Sequence, residues 1–133
     1  MKTNRVLKIT IKKKWFDLIL QGVKHTEYRE IKPYWLVRFI EYRGMAMSKK
    51  IDMCTSLKRD TSAARWNFDK NYCNNRNYDY IEFKNGYSKD APTIIKKYVG
   101  VYIGKPKGIE KYLLKEDLFC IVIGDEIARS NIV

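Results

Sequence analysis

Lys24, Glu27 and Arg29 put an ammonium, a carboxylate and a guanidinium into one short stretch that opens at Gly22. Read as a glycine turn entering a strand, the stretch alternates, so His25, Glu27 and Arg29 share one face while Thr26 and Tyr28 share the other. Lys24 sits at the mouth of the turn, where its long stem can fold toward either face. A carboxylate and a guanidinium two positions apart on one strand face are close enough to share hydrogen bonds. Such a pair can hold one member rigid while a third, basic group approaches a ligand. The plain alternative is a solvated strand face with a surface ion pair, which adds little to stability.

The composition bears on what such a site would meet. The chain has 133 residues, 45% hydrophobic and 14% aromatic, which suits one domain with a real core and excludes a disordered chain. Its formal net charge is +12. A basic surface of that size favours polyanions, nucleic acid ahead of an anionic membrane. No apolar run is long enough to span a bilayer and the start lacks a signal-peptide core, so a cytoplasmic protein without a membrane partner is expected. Cys54, Cys73 and Cys120 have no Cys-x-x-Cys spacing and read as free thiols. No metal or cofactor is expected.

The elements that must position these groups follow from periodicity. Arg5 to Ile11 reads as a first strand. Ile11, Trp15, Leu18 and Ile19 then form the stripe of a short helix, which Gly22 ends as a left-handed C′ residue. Lys12, Lys13 and Lys14 stand at the helix start, where cations oppose the dipole, so they are splayed into water or an anion sits there. Pro33 opens a second helix with Trp35, Leu36, Phe39 and Ile40 on its apolar side. Tyr78 to Phe83 is a strand, Asn85-Gly86 a turn, and Thr93 to Ile103 a long strand with Ile95, Val99, Val101 and Ile103 on one face. A loop with Pro106 and Gly108 precedes a short amphipathic piece around Tyr112, Leu113 and Leu114. Leu118 to Ile123 closes the chain as a strand buried on both faces. The class is therefore α+β, a small curled mixed β-barrel with two early helices packed on it.

The stretch from Arg43 to Asn77 interrupts this regularity. It is too long for a plain loop, so it is expected to be partly helical or else functional. Basic residues alternate there with aromatic ones, Arg65 beside Trp66 above all. Cations for phosphates and rings for bases are what a single strand of nucleic acid needs. The competing role for the rings is to pin a long segment to the body.

A helix ending in Gln21-Gly22, followed by Lys24, Glu27 and Arg29 in the pattern Gly-x-Lys-x-x-Glu-x-Arg, resembles the signature of ASCH domains, members of the PUA-like superfamily of small β-barrels. The order of elements fits from strand, helix and motif to the closing apolar strand. Phage and bacterial ASCH proteins with Glu-Tyr-Arg-Glu followed by Lys-Pro-Tyr-Trp are particularly similar, and the Asn85-Gly86-Tyr87 stretch is also similar to that subgroup. The resemblance covers the chain outside the basic insert at about 43–77. It implies a single domain over 1–133 that binds RNA, single-stranded DNA or a nucleotide in a cleft lined by Lys24, Glu27 and Arg29. Lys14, Arg65, Trp66 and Tyr87 are the further expected contacts. Some relatives are enzymes, ribonucleases or amidohydrolases on modified nucleosides, in which case Lys24, Glu27, Arg29 and Glu82 are the candidate catalytic residues. The threonine nucleophile of the amidohydrolase pattern falls here at Glu27, and Thr26 points to the opposite face, so that pattern is incomplete. A module that meets an acidic protein partner is the remaining alternative.

Overall fold

The computed structural model describes residues 4–42, 47–59, 73–106 and 118–132. In chain order these form β1 (Val6–Thr10), α1 (Lys13–Leu20), β2 (Thr26–Glu30), α2 (Pro33–Phe39), β3 (Ile40–Tyr42) and α3 (Met47–Arg59), then β4 (Cys73–Asn75), β5 (Tyr80–Lys84), β6 (Thr93–Gly104) and β7 (Leu118–Ser130). The architecture is the expected α+β class with a mixed sheet. Five strands run in the order β1-β5-β6-β7-β2, and β3 pairs with β4 in a separate two-stranded ribbon. β1 is parallel to β5 and β5 is antiparallel to β6. Among the described residues no helix is long and apolar enough to cross a membrane. Arg65, Trp66 and the piece around Leu113 lie outside the described residues.

The chain divides into two compact units. The first comprises 1–27, 77–100 and 122–133. Its strands alternate as half-buried sheet should. Leu7 and Ile9 of β1 face inward, in register with Ile81 and Phe83 of β5, all of them buried. Phe16 and Ile19 of α1 are buried with them. Main-chain bonds fasten the start of β5 to the start of β1, since Asp79 and Tyr80 both donate to the Arg5 carbonyl.

Register decides which side of β6 enters this core. The sequence groups the β-branched residues Ile95 and Val99 on one face, yet it is the opposite face that is buried. Ile94 pairs with Phe83 and Lys96 with Ile81, and both partners are fully buried. Val99 on the other side is 61% exposed. Lys96 is therefore a buried lysine on an apolar face. Its charge acts on Glu126, whose carboxyl is held below its usual range first by a hydrogen bond from Arg129. β7 approaches β6 closely at Gly124, where a Cβ would lie 3.1 Å from the Lys97 Cβ, the Lys97 carbonyl oxygen and the Val99 Cγ2.

The second unit comprises 28–76 and 101–121. Pro33 supplies the first turn of α2, and its missing N–H is one that no helix satisfies at that position. Leu36 and Phe39 are buried, with the Phe39 ring 5.0 Å from that of Phe119 on β7. Tyr28, Leu118 and Cys120 form a further buried cluster. Leu118 through Ile121 are all buried, as a continuous apolar run requires. Arg76 ties the β3–β4 ribbon to α2, its Nε donating to the Val37 carbonyl at 2.8 Å and its amide to that of Phe39 at 2.8 Å.

Two stability tests follow from this packing. Gly124→Ala should lower the free energy of unfolding by about 1–3 kcal/mol in urea melts, since a backbone carbonyl stands where the methyl must go. Tyr98 is buried edge-on against Tyr78, with ring centroids 5.3 Å apart. Burial raises its phenol from 10.0 to about 12, with Tyr78 adding to the shift. The native state then holds a proton that the unfolded chain has released, so stability falls as pH rises. Tyr98's contribution is complete below pH 10.0 and is lost as pH climbs through about 12. Tyr98→Phe should flatten that part of the alkaline melting profile. An unchanged profile would show that the phenol is not buried.

Candidate functional site

The motif is anchored by the way α1 ends. Gln21 caps the helix and Gly22 follows with φ +74°, a conformation that glycine adopts without strain. The Gly22 amide donates to the Ile19 carbonyl and the Val23 amide to the Leu18 carbonyl, which together make a Schellman cap. The Lys24 amide donates to the same Leu18 carbonyl at 3.1 Å. The backbone of Lys24 is thus tied to the last turn of α1, and its side chain lies beside that helix.

That geometry resolves the ambiguity of Lys24. Its side chain is only 2% exposed, and Nζ lies 3.6 Å from Oε1 of Glu27, whose side chain is 4% exposed. Nζ also lies 5.2 Å from the centre of the half-buried Trp15 ring, within cation–π range. A second ammonium, that of Lys14, approaches the same ring at 4.7 Å. The ion pair of the motif is therefore buried, not a solvated surface pair. It joins the carboxylate to Lys24, whereas strand parity alone points to Arg29.

A buried ion pair gains little net stability, because removing two charges from water costs nearly what their attraction returns. Its chemical value is fixed polarity. The carboxylate accepts hydrogen bonds and the ammonium donates them. Side by side, with an indole against the ammonium, they match a planar group that offers a donor and an acceptor along one edge.

Arg29 is placed by the second unit. It is half-buried, its Nη1 donates to the Tyr28 carbonyl at 2.9 Å, and its guanidinium carbon lies 5.2 Å from the Trp35 ring centre. Arg38 lies 3.6 Å from the Tyr34 ring centre and 5.5 Å from that of Trp35. Of the remaining expected site residues Lys14, Glu82 and Tyr87 are among the described ones. Lys14 is exposed at the start of α1. Glu82 is half-buried in the middle of β5, in register with Lys8 and Ile95. Tyr87 is 93% exposed in the loop between β5 and β6. Cys54 and Cys120 are buried and form no disulfide. Among the described residues, no group of three or more His, Cys, Asp or Glu is placed to hold a metal ion.

Three contributors escaped sequence reasoning. Trp15 reads as part of an apolar helix stripe, and only the Schellman cap shows that Lys24 is brought back onto its ring. Tyr34 and Arg38 lie outside the apolar side read for α2, and their four-residue spacing stacks them on one helix face.

The buried pair makes a sharp prediction for stability. Lys24→Met leaves the Glu27 carboxylate buried without its counter-charge and should cost about 3–5 kcal/mol in urea melts. Adding Glu27→Leu should restore most of that loss, since two apolar residues need no counter-charge. A double variant no more stable than the single one would show that the pair is not coupled. Against known proteins, no family model, curated protein or solved structure matches the chain.

Proposed function

We propose that this chain is an ASCH-type, PUA-like domain that binds a nucleotide or single-stranded nucleic acid, RNA or DNA, and reads a base with the Lys24–Glu27 pair. The observation that supports this is the pair itself, buried in the motif that suggests the family and set against the Trp15 ring. Nucleobases carry donors and acceptors side by side, as adenine does with its N6 amino group and N7. Glu27 suits the donor, Lys24 the acceptor, and Trp15 the flat face of the ring. The net charge of +12 suits a phosphate backbone, with Arg65, Trp66 and the other basic residues of the insert as the strand-holding contacts.

The test is binding of a nucleotide panel and short single strands, followed by tryptophan fluorescence. Mass spectrometry of the same mixtures detects any converted product. Ligand binding should quench the wild type and change the signal much less in Trp15→Phe. Glu27→Gln, checked for folding by thermal melts, should lose about tenfold or more of the discrimination between bases. For strands, log K should fall with log salt at about −0.7 per phosphate contacted, in wild type and variant alike. A wild type that retains no nucleotide and no strand at low salt would overturn the proposal. So would a folded Glu27→Gln variant that still ranks the bases as the wild type does. Product formation would move the assignment from binder to hydrolase.

A further inference from the structure

The second unit carries a row of rings that the buried pair does not use. Phe39 is fully buried and anchors one end. The Trp35 ring lies nearly parallel to it, with centroids 6.4 Å apart and 21° between planes. Tyr34 meets Trp35 edge to face at 5.1 Å and is 56% exposed. The row thus grades from core to solvent along one seven-residue helix. Two guanidinium groups lie over it, Arg29 over Trp35 and Arg38 over Tyr34.

The Arg38–Tyr34 distance is decisive. At 3.6 Å from the ring centre, the guanidinium is in stacking contact with the phenol. An exposed tyrosine on an isolated helix face would sample several rotamers. This one is set against Trp35 and overlaid by Arg38, so little conformational entropy remains to be lost when a ligand stacks on it. Lys32 at the N-cap is exposed and the first turn of α2 carries no acidic residue.

We infer that Tyr34, backed by Arg38 and Trp35, is a stacking platform for one unpaired base of a single-stranded polynucleotide, with Lys32 positioned for its phosphate. The inference builds on the proposed nucleic-acid binding, but it uses none of the residues of the Lys24–Glu27 pair. It narrows the ligand from a nucleotide to a strand, because a stack on one exposed ring is weak by itself and a strand adds phosphate contacts to it. Flat π-faces beside cations are what a base and its phosphate together require, and such stacking tolerates any sequence.

The experiment measures binding of oligo-dT and oligo-rU of several lengths, and of the mononucleotides, to wild type, Tyr34→Ala, Tyr34→Phe and Glu27→Gln. Tyr34→Ala should weaken strands about 5–150-fold, the range of one lost stack, and leave mononucleotides unaffected. Tyr34→Phe keeps the ring and should bind strands within about twofold of wild type. Tyr34 is exposed, and melts of all variants check that each is folded. Strand binding by Tyr34→Ala equal to wild type overturns the platform, even where Glu27→Gln has lost base discrimination and the base-reading proposal stands. Loss in Tyr34→Ala with base ranking intact in Glu27→Gln sustains the platform and removes the base-reading pair. Failure of every strand to bind wild type overturns both. The DNA and RNA arms show which sugar the platform accepts.

Discussion

The parallel pairing of β1 with β5 is the constraint from which the rest of the structure follows. Val6 lies beside Tyr80 and Thr10 beside Lys84, so more than half of the chain is spent between two neighbouring strands. Parallel neighbours cannot be joined by a tight turn and need a crossover. Here the crossover is long enough to hold α1, β2, α2, β3, α3 and β4, and it delivers β2 to the far edge of the same sheet. The motif residues therefore sit where the crossover leaves α1 and enters that edge. Asn85 secures the pairing at its end by donating from its side chain to the Ile11 carbonyl at 3.0 Å.

Within the crossover, a chain of local causes sets the polar centre. Gly22 permits the Schellman cap, and the cap turns the chain back so that Leu18 receives both Val23 and Lys24. Lys24 is then brought over Trp15, one helical turn before Leu18, and meets Glu27 on entering β2. Each step depends on the one before it. For stability alone, apolar residues at positions 24 and 27 would serve as well.

The sequence made some of this legible and hid the rest for physical reasons. Leu118 to Ile123 announces a buried strand because nothing polar interrupts it, Pro33 marks a helix start because its ring fixes φ and removes an N–H, and Gly22 marks a helix end because glycine takes the left-handed cap without strain. The core face of β6 was hidden, since Ile95 and Val99 are better strand formers than Lys96 but lie on the other side. A lysine has a long apolar stem, so periodicity cannot tell a buried one from a solvated one. The β3–β4 ribbon was invisible because Cys73-Asn74-Asn75 has neither alternation nor β-branching. α3 has the weak, mixed pattern of Met47-Ser-Lys-Lys-Ile51, which announces no particular element.

The sheet also protects itself at its margins. Its two outermost strands, β1 and β2, are each five residues long, whereas β6 and β7 inside have 12 and 13. Lys8 stands at the centre of β1 and is exposed. A short strand with a central charge offers few open amides and carbonyls to a second molecule, and two copies meeting edge to edge at β1 confront a lysine with another lysine. Like-charge repulsion from a net +12 acts in the same direction at longer range. The chain should therefore stay dispersed at concentrations where a flat, neutral sheet edge would assemble into dimers or fibres.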